Sequence, residues 1–299
     1  MASSKEKETL QNVAGQLRLV NHFKAHSPDN QTAGWSSLWD TDSSNLWDRG
    51  MPSPALIDFI EERVNLLTKD GRRKKALVPG CGKGYDVVML ALHGFDVFGL
   101  EVSETGASVA REYAQSELQS PQDYNFGSHF REIPGVGKGE VTILQGDFFK
   151  RDWESEMQFD LIYDYTFLCA LHPNVRRQWA GRMADLLAPN GQLVCLEFPL
   201  FKDPKMPGPP WGLRGVHWDL LAEGGDGIVG GDVGEDVKGE EKGVFERLLY
   251  LKPERSYANG KGTDMLSVWI KKSTYMVYTK GSDEKSLIFI NSLHLPRSR

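Results

Sequence analysis

The residues able to do chemistry gather first in Ala76-Leu77-Val78-Pro79-Gly80-Cys81-Gly82-Lys83-Gly84-Tyr85-Asp86, an apolar run that breaks into a glycine turn and resumes as a helix. Glycine tolerates positive backbone angles and, having no side chain, lets a ligand approach the main chain closely. Fifteen residues beyond Asp86, at the end of the apolar run Asp96-Val97-Phe98-Gly99-Leu100, stands Glu101. A carboxylate at the tip of the second strand of a doubly wound sheet accepts hydrogen bonds from both ribose hydroxyls, while the glycine turn lies under the rest of the nucleoside. The spacing therefore predicts an adenosine-containing cofactor, with Glu101 on its ribose and the glycine turn beneath it. The glycines fall as G-x-G-x-G, not the G-x-G-x-x-G that places a pyrophosphate on a helix N-terminus. An NAD(P)-dependent oxidoreductase is thus the alternative enzyme, and a non-catalytic cofactor-binding protein the alternative to an enzyme.

Further candidates lie downstream. Val141-Thr142-Ile143-Leu144-Gln145-Gly146-Asp147-Phe148-Phe149 is a third strand ending in an acid and a ring. Asp147 and Phe148 offer an adenine polar contacts and an apolar face, although a strand-end Asp that caps its own turn fits as well. The fourth strand, Phe159 to Tyr165, exits through Thr166 and Phe167. Ligands of open parallel sheets bind beyond the carboxyl ends of the strands, so Asp164 and Tyr165 are the catalytic candidates if a proton must be removed. Asp164 reads equally as a cap, and Tyr165 as a group that positions the acceptor. His172 and His217 are further possible bases, more readily structural beside Pro173 or in a loop. Trp35, Trp39 and Trp47 fall within thirteen residues. They read either as plugs for one end of the sheet or as a lid whose indole faces attract a cation such as a sulfonium and exclude water. Trp211, in the stiff run Met206-Pro207-Gly208-Pro209-Pro210-Trp211, offers a wall to a small substrate.

The elements that must position these groups alternate strand and helix. An amphipathic lead-in helix carries Leu10, Val13, Leu17 and Val20, and Ala55 to Lys69 is a second helix with Val64 and Leu67 on its apolar side. Helices follow over Tyr85–Leu92, Glu104–Leu118 and Pro173–Leu187, the last stopped by Pro189-Asn190-Gly191 before a strand from Gln192 to Phe198. Val244–Lys252 and Met265–Lys271 read as an antiparallel edge hairpin. The run 222–243, acidic and glycine-rich, reads as a mobile surface insertion with little apolar area to bury. Residues 272–299 read as an extension, with a strand possible from Leu287 to Leu295. The expected fold is α/β: one domain over 1–299, with a helical lead-in (1–32) and a single doubly wound, mostly parallel seven-stranded sheet closed by the antiparallel hairpin.

At 299 residues and 40% hydrophobic content the chain can build a substantial core. A net charge of −6 and the absence of a basic stripe interleaved with aromatics argue against a nucleic-acid partner. Arg72-Arg73-Lys74-Lys75, the one dense basic run, reads as a solvated loop. No apolar run approaches membrane-span or signal-peptide length, so no membrane partner and a cytoplasmic location are expected. Cys81, Cys169 and Cys195 lack metal spacing and read as reduced core residues, with no metal.

Taken together, these motifs resemble the thiopurine S-methyltransferase-type family, in its thiol and halide (thiocyanate) methyltransferase branch. The likeness covers roughly residues 33 to 271. It rests on the tryptophan segment with Asp48, Gly50 and Pro52; on Pro79-Gly80-Cys81-Gly82-Lys83-Gly84, which is similar to motif I of S-adenosylmethionine-dependent methyltransferases; on Glu101-Val102-Ser103 and Gly146-Asp147-Phe148; and on Asp164 to Leu171 and Gly208-Pro209-Pro210. The resemblance implies a Rossmann-like class I methyltransferase fold and S-adenosyl-L-methionine as cofactor. It implies that Trp35, Trp39 and Trp47 line the cofactor, Gly80 lies against it, Glu101 holds the ribose, Asp147 and Phe148 take the adenine, and Tyr165 approaches the methionine part. The implied reaction is in-line methyl transfer to a small thiol or soft anion such as thiocyanate or a halide. The insertion and the tail fall outside the common pattern, and the acceptor and oligomeric state stay open.

Overall fold

A computed structural model describes residues 4–63, 68–69, 72–132, 135–229, 242–272, 274–280 and 285–291. Seven strands form one sheet: β1 (Lys75–Pro79), β2 (Asp96–Glu101), β3 (Val141–Gln145), β4 (Phe159–Tyr165), β5 (Leu187–Glu197), β6 (Phe245–Leu251) and β7 (Met265–Lys271). Their spatial order is β3-β2-β1-β4-β5-β7-β6. The first five run parallel, and β7 is antiparallel to both β5 and β6. The expected doubly wound sheet with its antiparallel edge pair is what the chain forms. Its strand order reverses between β1 and β4, which opens a crevice beyond their carboxyl ends.

Burial follows position in the sheet. Strand β4 is buried along almost its whole length, as a central parallel strand covered on both faces must be, whereas edge strand β6 alternates buried and exposed residues. Helices α1 (Ser4–Lys24) and α2 (Gln31–Asp40) precede the sheet, α3 (Pro54–Glu61), α4 (Tyr85–Leu92) and α5 (Glu104–Gln119) pack around its first half, and α6 (Arg176–Leu186) leads into β5. Ser53 caps α3, its hydroxyl accepting from the Leu56 N–H at 3.3 Å, with Pro54 preset for the first turn. Ser103 caps α5 in the same way, accepting from Gly106 N–H at 3.1 Å.

Several boundaries differ from the expectation. In α1 Leu17 is 57% exposed and Val20 half-buried, and the inward side of the helix's second half carries Leu19 and Phe23, packed on Leu38 of α2; the side chains of Leu10 and Val13 lie outside the described residues. Helix α3 ends at Glu61, whose carboxylate accepts from His129 N–H at 2.9 Å and meets His93 Nε2 at 3.1 Å. Thr68–Lys69 instead pairs with Arg72–Arg73, and Val64 and Leu67 lie outside the described residues. Arg72–Arg73 of the basic run is therefore strand and Lys75 opens β1, with Lys74 between them in neither, and the Arg72 fork grips Asp160 at 2.7 and 2.6 Å. Pro189-Asn190-Gly191 does not precede β5 but lies within it. Asn190 takes φ +63° while the ladder slips from Phe159↔Leu187 to Leu161↔Gln192.

The insertion 222–243 is anchored at its start: Ala222 is buried, and the Gly227 carbonyl accepts from buried Arg176 at 2.7 Å. Asp219 draws the glycine backbone inward, its Oδ2 accepting from Gly227 N–H at 2.7 Å, so packing here comes from main-chain polar groups that composition does not reveal. Residues 230–241 lie outside the description. Beyond the sheet, Thr274–Lys280 and Lys285–Asn291 pair only with each other. Among the described residues no helix is long and apolar enough to cross a membrane.

Candidate functional site

The crevice at the strand-order reversal is a cavity built from the ends of β1 to β4 below and from α2 with the 47–51 loop above. Its floor is the glycine turn. Gly80, Gly82 and Gly84 all take positive φ (+59°, +56° and +83°), and Cys81 N–H donates to the Leu100 carbonyl at 3.0 Å, tying the turn to β2. A Cβ on Gly80 would run into the Phe167 ring, so a larger residue is excluded by sterics as well as by backbone angle. Phe167 reaches that position because Thr166 turns the chain sharply at φ +60° as it leaves β4.

Glu101 sits at the head of the floor, 5% exposed. One carboxylate oxygen accepts from Gly82 N–H and the other from Ser103 N–H, each at 3.1 Å. Burial pushes its pKa up to about 7, with the Ser103, Gly82 and Val102 amides pulling the other way. A carboxylate has about four acceptor sites, so two are left for the hydroxyls of a ribose. The group implied by the sequence fits the donor set present.

Asp147 and Phe148 follow at the end of β3. Asp147 does both things its sequence allowed: Oδ1 accepts from Phe149 N–H at 2.9 Å as a turn cap, and the residue lines the cavity. Phe148 is buried, edge-on to Phe167 with ring centroids 5.1 Å apart.

The two readings of the tryptophans also merge. Trp35 packs on Phe23 (centroids 4.6 Å) and meets Trp47 edge-on (5.3 Å), and Trp39 meets Trp47 edge-on (5.6 Å), so the rings plug a small core of the lead-in helices. The same three rings form cavity wall. Trp39 approaches the sheet through Gly106, where a Cβ would come within 2.8 Å of the indole. Asp48 joins roof to floor: its carboxylate meets Lys83 Nζ at 2.5 Å and accepts from the Tyr85 hydroxyl at 3.5 Å.

Asp164, by contrast, does not line the cavity. It is 3% exposed, Oδ1 accepts from Leu168 N–H at 3.1 Å and Oδ2 from Trp179 Nε1 at 2.8 Å. It caps the β4 exit, the second of the two roles its position offered. His172 and His217 are likewise away from the cavity; His172 Nδ1 accepts from Asn174 N–H at 3.3 Å, and buried His217 lies 3.7 Å from Glu197. Trp211 is tied to the β4 exit by its main-chain N–H, which donates to the Cys169 carbonyl at 2.8 Å, and it is not among the residues lining the cavity.

Tyr165 does face the cavity. Burial raises its pKa above the ordinary tyrosine value, so it stays protonated and can position a partner but not take a proton. Its hydroxyl accepts from Arg49 Nε at 3.4 Å, and its ring stacks on Tyr257 at 5.0 Å with 13° between planes. Arg49, Met51 and Tyr257 are site residues that motif spacing missed. One signal for Tyr257 existed. In a hairpin antiparallel to β5, the loop preceding β7 emerges at the carboxyl end of the parallel strands, as the Glu197↔Met265 pairing shows.

A sequence profile of the thiopurine S-methyltransferase family matches residues 30–225. A probable thiol methyltransferase 2 of Arabidopsis thaliana is 32% identical over 249 residues, 83% of this chain and 88% of that protein. Thiocyanate methyltransferase 1 of Brassica oleracea is 35% identical over 57% of this chain and 63% of that protein. The thiopurine S-methyltransferase of Pseudomonas aeruginosa (strain LESB58) is 33% identical over 60% of this chain and 81% of that protein.

Proposed function

This chain belongs to the thiopurine S-methyltransferase family, and from that premise we propose that it moves a methyl group from S-adenosyl-L-methionine to a sulfur acceptor that arrives as a soft anion. The observation that carries the reading is the row of groups across the sheet. The order β3-β2-β1-β4 sets Asp147, Glu101, Gly80 and Tyr165 side by side along one cavity. Three strand spacings of roughly 4.8 Å make a row of about 14 Å, the reach of a nucleoside with an amino-acid tail. Asp147 and Phe148 take the adenine, Glu101 the ribose, Gly80 the close main-chain approach and Tyr165 the methionine end. Trp35, Trp39 and Trp47 roof the donor and keep water from it.

The bound cofactor supplies a sulfonium methyl, an electrophile that needs no metal-like activation. What the chain adds is alignment and a dry site, which for an in-line displacement is worth several kcal/mol. At the Tyr165 end each acidic lining group already has a partner within the chain. Tyr165 is protonated, Asp48 is paired with Lys83, and Asp86 accepts from Ser53 N–H at 2.7 Å. An acceptor that is already a thiolate, or thiocyanate or a halide, meets that condition. The positive donor favours an anion beside it.

Isothermal titration with S-adenosylhomocysteine and with NAD, followed by turnover with a panel of thiols, thiocyanate and iodide, tests the reading. It requires binding of the first nucleoside only and release of S-adenosylhomocysteine with a sulfur anion; binding of NAD with no methyl transfer would end it.

A further inference from the structure

The acceptor end of the cavity holds two groups that the reading above leaves without a role, Arg49 and Tyr257. Arg49 lies half-buried in the roof loop. Its Nε donates to Tyr165, and its guanidinium carbon lies 5.7 Å from the centre of the Phe198 ring. Among the described residues it forms no ion pair. Asp48 next to it is taken by Lys83, and Asp264, whose carboxylate lies in reach of its field, is buried and turned to the Ser256 hydroxyl at 2.6 Å. A guanidinium with several N–H donors uncommitted, at the end of an aromatic cavity, is a seat for an anion.

Tyr257 closes the same end. Its ring is stacked on Tyr165, and its hydroxyl donates to the Met51 carbonyl at 2.9 Å, which bridges the β6–β7 loop to the roof loop beside Arg49. This loop lies beyond residues 30–225, the stretch that the family profile matches. With the two tyrosine planes in contact, no aromatic acceptor slides between them.

We infer that Arg49 and Tyr257 set acceptor specificity, Arg49 by holding the charge of a compact sulfur anion and Tyr257 by closing that end of the cavity to aromatic thiols. The inference rests on the methyltransferase reading and deepens it. In the step itself a lone pair of the acceptor sulfur forms the new S–CH3 bond, and the breaking C–S bond returns its electron pair to the sulfonium sulfur. A sulfonium cation and a sulfur anion become an uncharged S-methyl product and the thioether of S-adenosylhomocysteine, and a thiol has lost its proton to solvent beforehand. Once the charge is gone, Arg49 no longer holds the product.

The test compares wild type with Arg49→Gln, Arg49→Lys, Tyr257→Phe and Tyr257→Ala, using hydrosulfide, thiocyanate and thiophenolate as acceptors. S-adenosylhomocysteine affinity is measured first and stays within about threefold in every variant, since the cofactor half is untouched. Arg49→Gln raises the KM for thiocyanate about tenfold, and Arg49→Lys recovers most of it. With hydrosulfide, the acid limb of the kcat profile moves to higher pH in Arg49→Gln, a readout that a merely structural arginine does not move. Tyr257→Ala raises the thiophenolate-to-hydrosulfide ratio of kcat/KM about tenfold, whereas Tyr257→Phe keeps it. Unchanged KM and pH profile in Arg49→Gln, or an unchanged ratio in Tyr257→Ala, overturns the inference while wild-type turnover leaves the methyltransferase reading standing. Absence of turnover in wild type with every acceptor overturns both.

Discussion

The two ends of the cavity are made by different means. The cofactor end is built from backbone: the Gly80–Gly84 turn, two amides on Glu101 and the capped turn at Asp147, all at the tips of neighbouring parallel strands. The acceptor end is built from side chains on separate segments, with Arg49 and Met51 before the sheet, Tyr165 at the end of β4 and Tyr257 in the last hairpin. Groups fixed by the sheet's own hydrogen bonds vary little without unfolding the strand ends. Side chains on loops are exchanged cheaply, so one cofactor site can serve several acceptors.

That contrast is open to attack, and the largest effect belongs to the cofactor end. Glu101→Ala removes an acceptor that buried amides and the ribose share. The affinity for S-adenosylhomocysteine, measured by titration, falls by about 1.5–3 kcal/mol, roughly 10- to 150-fold; an affinity equal to wild type breaks the assignment. The next effect is pH dependence at the same residue. Glu101 titrates near 7 in the folded chain against an ordinary 4.5, so between those values the folded state carries a proton that the unfolded state has released. Its contribution therefore favours folding at low pH and is progressively lost as pH rises toward 7. Nucleoside binding wants the carboxylate, so affinity falls as pH drops below 7, by up to about tenfold per unit. Glu101→Gln abolishes that break near 7, leaving what Asp86, at about 6, contributes. The smallest effect lies at the acceptor end. Tyr165→Phe removes only the hydroxyl that meets Arg49 and keeps the ring beside the methionine end, so kcat/KM for thiocyanate falls about threefold to tenfold, one hydrogen bond's worth, while S-adenosylhomocysteine affinity stays within about threefold. A loss of cofactor affinity in that variant would merge the two ends.

How much could be read from the chain alone divides along the same line. The glycine turn, Glu101 and the Asp147-Phe148 pair are legible because each is a short stretch whose residue types answer a local backbone demand. The strand sequence and the edge hairpin are legible because parallel strands are continuous apolar runs. Asp164 misleads for a physical reason: a strand-end acid points either at the ligand or at its own exit turn, and only the position of Trp179, fifteen residues on, decides. Trp211 misleads because the proline-rich loop folds back on Cys169 and leaves the cavity to Tyr257. Arg49 was in plain view beside Trp47 and Asp48, yet its meaning comes from Tyr165, 116 residues away. Leu17 misleads because α1 turns Leu19 and Phe23 to Leu38 of α2, a partner that the helix's own spacing does not name.

The most direct measurement is a crystal structure with S-adenosylhomocysteine bound. The account requires the ribose diol on Glu101, the adenine between Phe148 and the Asp147 turn, and the sulfur facing Tyr165 with Arg49 and Tyr257 beyond it. A nucleoside bound the other way round, or outside the indole-roofed crevice, would contradict it.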